Sequence, residues 1–269
     1  MNQACWELPA HGQRELAPKR TRFCVGIPVL NEGERILRQL VRMKDLEGIP
    51  DLIIADGGST DGAVSVERME SLGVRTLLIK EGPGCLGAQL RMLFAYALQE
   101  GYEGCLLIDG NDKDDVRFIP DFVSKLEQGF DFIQGSRFLP GGSALHNPLH
   151  RKWAIRLLHA PLISLAAGYR YTDTTNGFRA FSARFLEDPR VDPFRSIFSG
   201  YELPYYLAIR AARLGFQVSE IPVSRHYPPH QPIPTKISFL RGNLAILRAL
   251  LQVATHRFDP KPLITEETP

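Results

Sequence analysis

The stretch Gly104-Cys105-Leu106-Leu107-Ile108-Asp109-Gly110-Asn111-Asp112 decides the fold. A short apolar run reads as a buried strand, and it ends in clustered polar oxygens. In open α/β sheets the carboxyl edge of the strands is where ligands bind. Hard oxygen donors there suit Mg²⁺ or Mn²⁺ shared with substrate phosphates, so Asp109, Asn111 and Asp112 are candidate metal ligands. Neighbouring acids Asp114 and Asp115 could supplement them.

Working outward, the same rhythm repeats. Apolar runs at Phe23–Ile27, Leu52–Ala55, Val74–Ile79 and Asp131–Gln134 alternate with helix patterns at Glu34–Lys44, Asp61–Leu72, Leu86–Gln99 and Val116–Gln128. Repeated βα units with continuously apolar strands predict an α/β fold: a Rossmann-like, mostly parallel sheet with helices on both faces. After Gly135 the pattern changes. Residues 138–150 read as a loop, Arg151–Ala167 as a helix broken near Pro161, and Thr172–Phe181 as irregular. Tyr201–Leu214 and Lys236–Ala254 read as helices and Phe216–Val223 as a strand. The expected organisation is a flexible leader (1–21), one catalytic domain (22–255) and a flexible tail (256–269). Within the domain, 22–135 is expected to be a nucleotide-type half and 136–255 a substrate-type half.

Composition sets bounds. The 269 residues are 44% hydrophobic and 23% charged, with a formal net charge of +2. That balance, without a Lys/Arg run, argues against a nucleic-acid partner. The four cysteines lack metal spacing, and a reducing cytosol is the expected setting. No run approaches the roughly 18 apolar residues of a membrane span, so any membrane role is peripheral, at the inner face. Met1–Arg20 lacks the apolar core of a secretory signal.

Other strand tips carry chemistry. Asp56 follows the second strand and can accept hydrogen bonds from a nucleobase, as can the backbone near Pro28. Gly82-Pro83-Gly84-Cys85-Leu86-Gly87 matches GxGxxG between a strand and a helix, with Asp109 downstream. Phosphates at that helix start fit the motif, and a nucleotidyltransferase or dinucleotide-binding enzyme is the alternative reading. Arg137, after the fifth strand, suits a phosphate. His150, Arg151, Lys152, Arg156 and His159 form a basic cluster. Asp173, within Asp173–Arg179, is the general-base candidate for a hydroxyl acceptor. Arg225, Lys236 and the proline-rich segment between them suggest a basic lid over a diphosphate.

Taken in order, Val25-Gly26-Ile27-Pro28-x-x-Asn31-Glu32, Asp56-Gly57-Gly58-Ser59-Thr60-Asp61-Gly62, Gly84-x-x-Gly87-Ala88, Asp109-Gly110-Asn111 and Gly135-Ser136-Arg137-Phe138 resemble family-two glycosyltransferases of the GT-A fold. Within them the chain is most similar to the dolichyl- or polyprenyl-phosphate mannosyltransferase branch, from about Phe23 to Lys236. The resemblance implies an inverting, metal-assisted transfer from a GDP- or UDP-linked sugar to a lipid-phosphate or glycan acceptor. It implies that Pro28, Asn31, Glu32, Asp56, Gly84, Gly87, Asp109 and Lys236 hold the nucleotide sugar. Arg137 and Arg151 would meet the acceptor, and Asp109 and Arg225 would act in catalysis; the residues themselves add Arg179 and Glu202 as acceptor contacts and Asp173 as a catalytic base. Two departures stand out: Asn111 replaces the second acid of the DxD pair, and Lys113 stands where some relatives have a neutral polar ligand.

Overall fold

The computed structural model describes residues 6–146, 149–227 and 241–260. Its centre is an eight-stranded sheet. The strands are β1 (His11–Glu15), β2 (Phe23–Val29), β3 (Asp51–Asp56), β4 (Val74–Lys80), β5 (Gly104–Leu107), β6 (Phe132–Ser136), β8 (Arg179–Ser182) and β9 (Val218–Pro222), in the order β1-β4-β3-β2-β5-β8-β6-β9. β4, β3, β2 and β5 are parallel neighbours, as are β6 and β9, whereas β1 and β8 run against them. A small parallel pair joins β7 (Ser143–Leu145) to β10 (Ser224–His226).

Every residue of β2 and β3 is buried, as a strand covered on both faces requires. Their side chains alternate between two cores. Val25, Ile27, Leu52 and Ile54 pack on the side of Ile36, Leu40 and Met43 from α1 (Glu34–Lys44). Cys24, Ile53 and Ala55 pack on the side of Leu90, Leu93 and Phe94 from α3 (Leu86–Gln99). At Gly26 a Cβ would collide with Leu93, so glycine lets α3 sit close to the sheet. The remaining helices are α2 (Val66–Ser71), α4 (Ile119–Glu127), α5 (Leu149–Ala154), α6 (Ala160–Ala167), the short α7 (Ala183–Leu186), α8 (Glu202–Arg213) and α9 (Arg241–Ala254).

Several expectations are corrected. The leader is not all loose: His11–Glu15 pairs antiparallel with β4 and closes that edge. Its polar sequence carries no strand periodicity, and pairing with the exposed backbone of β4 is what orders it. The tail is anchored as far as Asp259, with Phe258 against Phe198 and Asp259 bound to Arg210 at 2.8 Å. α2 begins at Val66, capped by Ser65, rather than at Asp61. Ser59 and Asp61 are engaged elsewhere: Ser59 donates to Asp56, and Asp61 accepts from the backbone of Gly33. The expected loop 138–150 contains β7, and the irregular stretch ends in β8. The break near Pro161 is a π-helical turn over Ile155–His159 that joins α5 to α6.

Candidate active site

Parallel strands bring their carboxyl ends to one edge, and that edge carries the chemistry. β3, β2 and β5 are adjacent, so Asp56, the Val29–Asn31 turn and Asp109 lie side by side. Because β8 is reversed, the segment leading into it, Thr172–Phe178, reaches the same edge. Antiparallel β8 is thus the reason residues from the second half join the first.

At the tips of β2 and β3, two loops are stitched together. Asp56 accepts from the Ser59 backbone and, at 2.5 Å, from its hydroxyl. Ser59 Oγ in turn accepts from the Asn31 backbone at 2.9 Å, while Asn31 Oδ1 accepts from the Thr60 backbone at 2.8 Å. Buried Gln89 donates to the carbonyls of both Val29 and Ala55, tying α3 to the two tips. Glu32 is held by Arg35 at 2.8 Å. The glycines of the Gly82–Gly87 loop serve a turn and a close approach. Gly84 has φ +102°, and a Cβ on Gly87 would lie 2.6 Å from the Phe198 carbonyl oxygen. Cys85 N–H donates to Ser199.

Asp109 is the partly exposed acid at the centre, with 32% of its side chain accessible. Its Oδ2 lies 3.0 Å from Arg225 Nη2 and 3.3 Å from the Asn111 amide nitrogen. The other guanidinium arm of Arg225 binds fully buried Asp114. Burial pushes the Asp114 carboxyl up, and the Asp109 charge adds to this against the opposing pull of Arg225. Burial alone would lower the Arg225 guanidinium; Asp114 and Asp109 outweigh it and raise it. Lys113 is buried beneath the Tyr227 ring at 5.9 Å.

Asp112 does not join this centre. Its backbone sits at φ +61°, and its carboxylate turns to Arg38 (3.1 Å) and Arg42 (2.5 Å) on α1. Asp115 is likewise bound to Arg117. Among the described residues no group of three or more His, Cys, Asp or Glu side chains is disposed to hold a metal. A divalent ion at this edge would have to be held by the carboxylate of Asp109 with the amide oxygen of Asn111 nearby, and would rely on water and a diphosphate for its other ligands. That is an ordinary arrangement for Mg²⁺.

The second half of the chain holds another ion pair. Asp173 and Arg137 are both buried; Arg137 donates to Asp173 from Nε at 2.7 Å and from Nη2 at 2.9 Å. Arg137 also donates to Tyr227 and Thr175. Burial pushes the Asp173 carboxyl up, but the Arg137 charge and hydrogen bonds outweigh it and hold it below the usual range. The expected proton acceptor is thus enclosed and fully engaged. Arg179 is buried too, donating to the carbonyls of Asn176, Pro204 and Thr174, and so braces the loop instead of facing an acceptor. Glu202, at the first turn of α8, accepts from the Gly200 backbone. Arg151 lies on α5 with its side chain outside the described residues, and Lys236 lies outside them altogether. Asp114 is the main member of the site that spacing did not single out. It was visible only as one acid among several, and its pairing with β10 depends on residues more than a hundred positions away.

The family model for glycosyl transferase family 2 matches residues 24–188, more than half of the chain. The chain belongs to glycosyl transferase family 2. This glycosyltransferase is 30% identical over 204 residues to the undecaprenyl-phosphate mannosyltransferase of Micrococcus luteus, covering 74% of this chain and 81% of that protein. It is 25% identical over 209 residues to the polyprenol monophosphomannose synthase of Mycolicibacterium smegmatis, covering 76% and 77%. Its fold matches glucosyl-3-phosphoglycerate synthase from Mycobacterium tuberculosis, solved with Mn²⁺, UDP and glucosyl-3-phosphoglycerate. That match has a TM-score of 0.61 at 18% identity, over 91% of this chain and 87% of that one. The GT-A expectation holds, and family membership decides against the dinucleotide reading. Among the described residues, no helix of the glycosyltransferase is long and apolar enough to cross a membrane.

Proposed function

We propose that this glycosyltransferase moves a hexosyl group, with inversion, from a nucleoside diphosphate sugar to the phosphate of a polyprenyl-type lipid. The observation that carries this reading is the enclosed Arg137–Asp173 pair. A hydroxyl acceptor needs a base within hydrogen-bond reach, and the carboxylate expected to serve is committed on both oxygens. A phosphate acceptor is already an anion. Its oxygen bonds to the anomeric carbon, the bond from that carbon to the donor's diphosphate oxygen breaks, and the electron pair leaves with the nucleoside diphosphate. No proton needs to move. The names of the two relatives support the same acceptor class.

In this reading the loops around Asp56 and Asn31 bind the nucleoside. Asp109 and Arg225 face the diphosphate, where fixed positive charge stabilises the leaving group. A divalent ion held by Asp109 supplies further neutralisation of that charge when bound.

The surface supports a lipid acceptor. From Leu149 to Thr172 the chain has no acid. On α5, the π turn and α6, one stripe (Ile155, Ala160, Ile163, Ala167) is buried. The opposite stripe is also apolar yet exposed: Trp153 at 55%, Leu157 at 70% and Leu165 at 84%. A contiguous apolar patch left exposed on a surface marks a docking or membrane site. Lys152 and Arg156 flank the stripe, and Arg156 stacks over Phe138, 5.2 Å from its ring centre and next to Arg137. We read this as a face that rests in a membrane interface beside the acceptor entrance.

The test is incubation with UDP- and GDP-linked hexoses against polyprenyl phosphate and the matching polyprenol. Transfer to the phosphate alone is expected. Equal transfer to the polyprenol overturns the reading.

A further inference from the structure

The Arg225 guanidinium has two dissimilar partners. Nη1 is bound to Asp114, which is fully buried. Nη2 is bound to Asp109, whose carboxylate is partly open to solvent. Asp114 and Arg225 are also joined through the backbone by an antiparallel bridge. Around it, Asp115 N–H donates to Ser224 at 3.1 Å and His226 N–H donates to Lys113 at 2.8 Å. The loop after β5 and strand β10 are therefore one unit at this point. Asp114 Oδ1 and Asn176 Nδ2 lie buried in the same region with no protein hydrogen-bond partner.

A buried charge with one strong partner keeps it, because the alternative is an unpaired ion in a medium that cannot solvate it. A half-open contact exchanges far more readily. We propose that Asp114 is a positioning residue: it anchors one arm of Arg225 permanently, so that the other arm can pass from Asp109 to the leaving diphosphate without losing its aim. This rests on the proposed donor site. It assigns Asp114 no contact with substrate, and its whole contribution to the reaction runs through Arg225.

That dependence makes the inference testable by a double-mutant cycle. The variants D114N, R225A and D114N/R225A are compared for kcat and donor KM in sugar transfer and in slow donor hydrolysis, and for UDP and GDP affinity by calorimetry. Circular dichroism checks folding. Loss of a preorganised cation at a leaving group costs kcat about 100-fold. R225A and the double variant are expected to share that loss within about twofold, and D114N to lose kcat with donor KM moved by less than about threefold. If D114N does not fold, the double variant, which buries no unpaired arginine, still decides by comparison with R225A. A double variant clearly slower than R225A, or a folded D114N with the original kcat, overturns the proposal. Hydrolysis and nucleotide affinity do not require the lipid, so an error in the acceptor assignment leaves this cycle readable.

Discussion

Arg137 grips Asp173 with two parallel hydrogen bonds, 2.7 and 2.9 Å long, and both side chains are almost completely buried. Such a pair is costly to desolvate, yet removing one partner is worse, because the other charge then stands alone. D173N is therefore expected to destabilise the fold by about 3–5 kcal/mol, read as a lower urea midpoint with an unchanged slope. Its folded fraction should retain transfer to a phosphate acceptor to within about tenfold, since loss of a general base costs more, about 10²–10⁴-fold. Loss on that larger scale in folded D173N returns Asp173 to a proton-transfer role.

The acid response should come in two stages. His159 is half-buried, and that burial holds it below the ordinary imidazole value, so the unfolded chain binds its proton first. Its contribution to stability is present above about pH 6.5 and declines as pH falls through the lower folded value. Asp173 is also depressed, although from the carboxylate range, so its contribution is intact above about pH 3.9 and disappears only as pH falls through its folded value. Denaturation series across pH should show H159Q flattening the first decline and leaving the second in place. An unchanged first decline in H159Q removes His159 from the account.

Two glycines near the site should behave differently. A Cβ on Gly177 would strike the carboxylate of Asp109, the free end of a movable side chain. G177A should therefore stay folded while displacing Asp109, and a shift of about 1 Å at a reacting centre can cost about 100-fold in rate. A Cβ on Gly87 would meet the Phe198 carbonyl at 2.6 Å and the Gly200 backbone, neither of which can move alone. G87A should lose about 1–3 kcal/mol of stability. Thermal melts beside kcat separate the two, and a stable G87A with normal kcat contradicts this assignment.

Much of this edge was legible because local patterns fix it. The β2, β3 and β5 runs are continuously apolar, α1 and α3 begin and end where periodicity places them, and Asp56 and Asp109 sit where the strands stop. What escaped was set by partners distant in sequence. β1 is polar and exists because β4 offers an unpaired edge. Asp112 has the residue type of a metal ligand, but its positive φ aims it at Arg38 and Arg42. Arg137, Asp173 and Arg179 have the chemistry of an acceptor site, yet reversed β8 folds them into a buried brace.

The apolar face of α5 and α6 predicts peripheral binding. W153S/L157S/L165S removes exposed side chains and should leave the melting temperature nearly unchanged. Each buried apolar side chain is worth about 1.5–3 kcal/mol, so partition onto anionic vesicles should fall well over tenfold. Salt should weaken binding of the original protein through Lys152 and Arg156. If the triple variant still co-sediments with vesicles and elutes at a smaller size in solution, the face joins copies of the chain instead.

Asn111 offers the sharpest probe of the metal. With Asp112 diverted, Asp109 is the one carboxylate at the β5 tip open to an ion, and Asn111 adds only a neutral oxygen. Affinity for a hard cation rises with the number of charged ligands. N111D should therefore tighten Mn²⁺ binding in the presence of UDP or GDP by about tenfold, which calorimetry can read directly. Chelation should slow the original protein as well as N111D, with less Mn²⁺ needed to restore the variant. The added acid also competes for Arg225 Nη2, which lies 3.5 Å from Asn111 Oδ1. Tighter metal binding should then coincide with a lower kcat, because the cation meant for the leaving group is partly diverted. Should N111D bind Mn²⁺ no better than the original, the ion does not use this edge, and Arg225 carries the leaving-group charge without it.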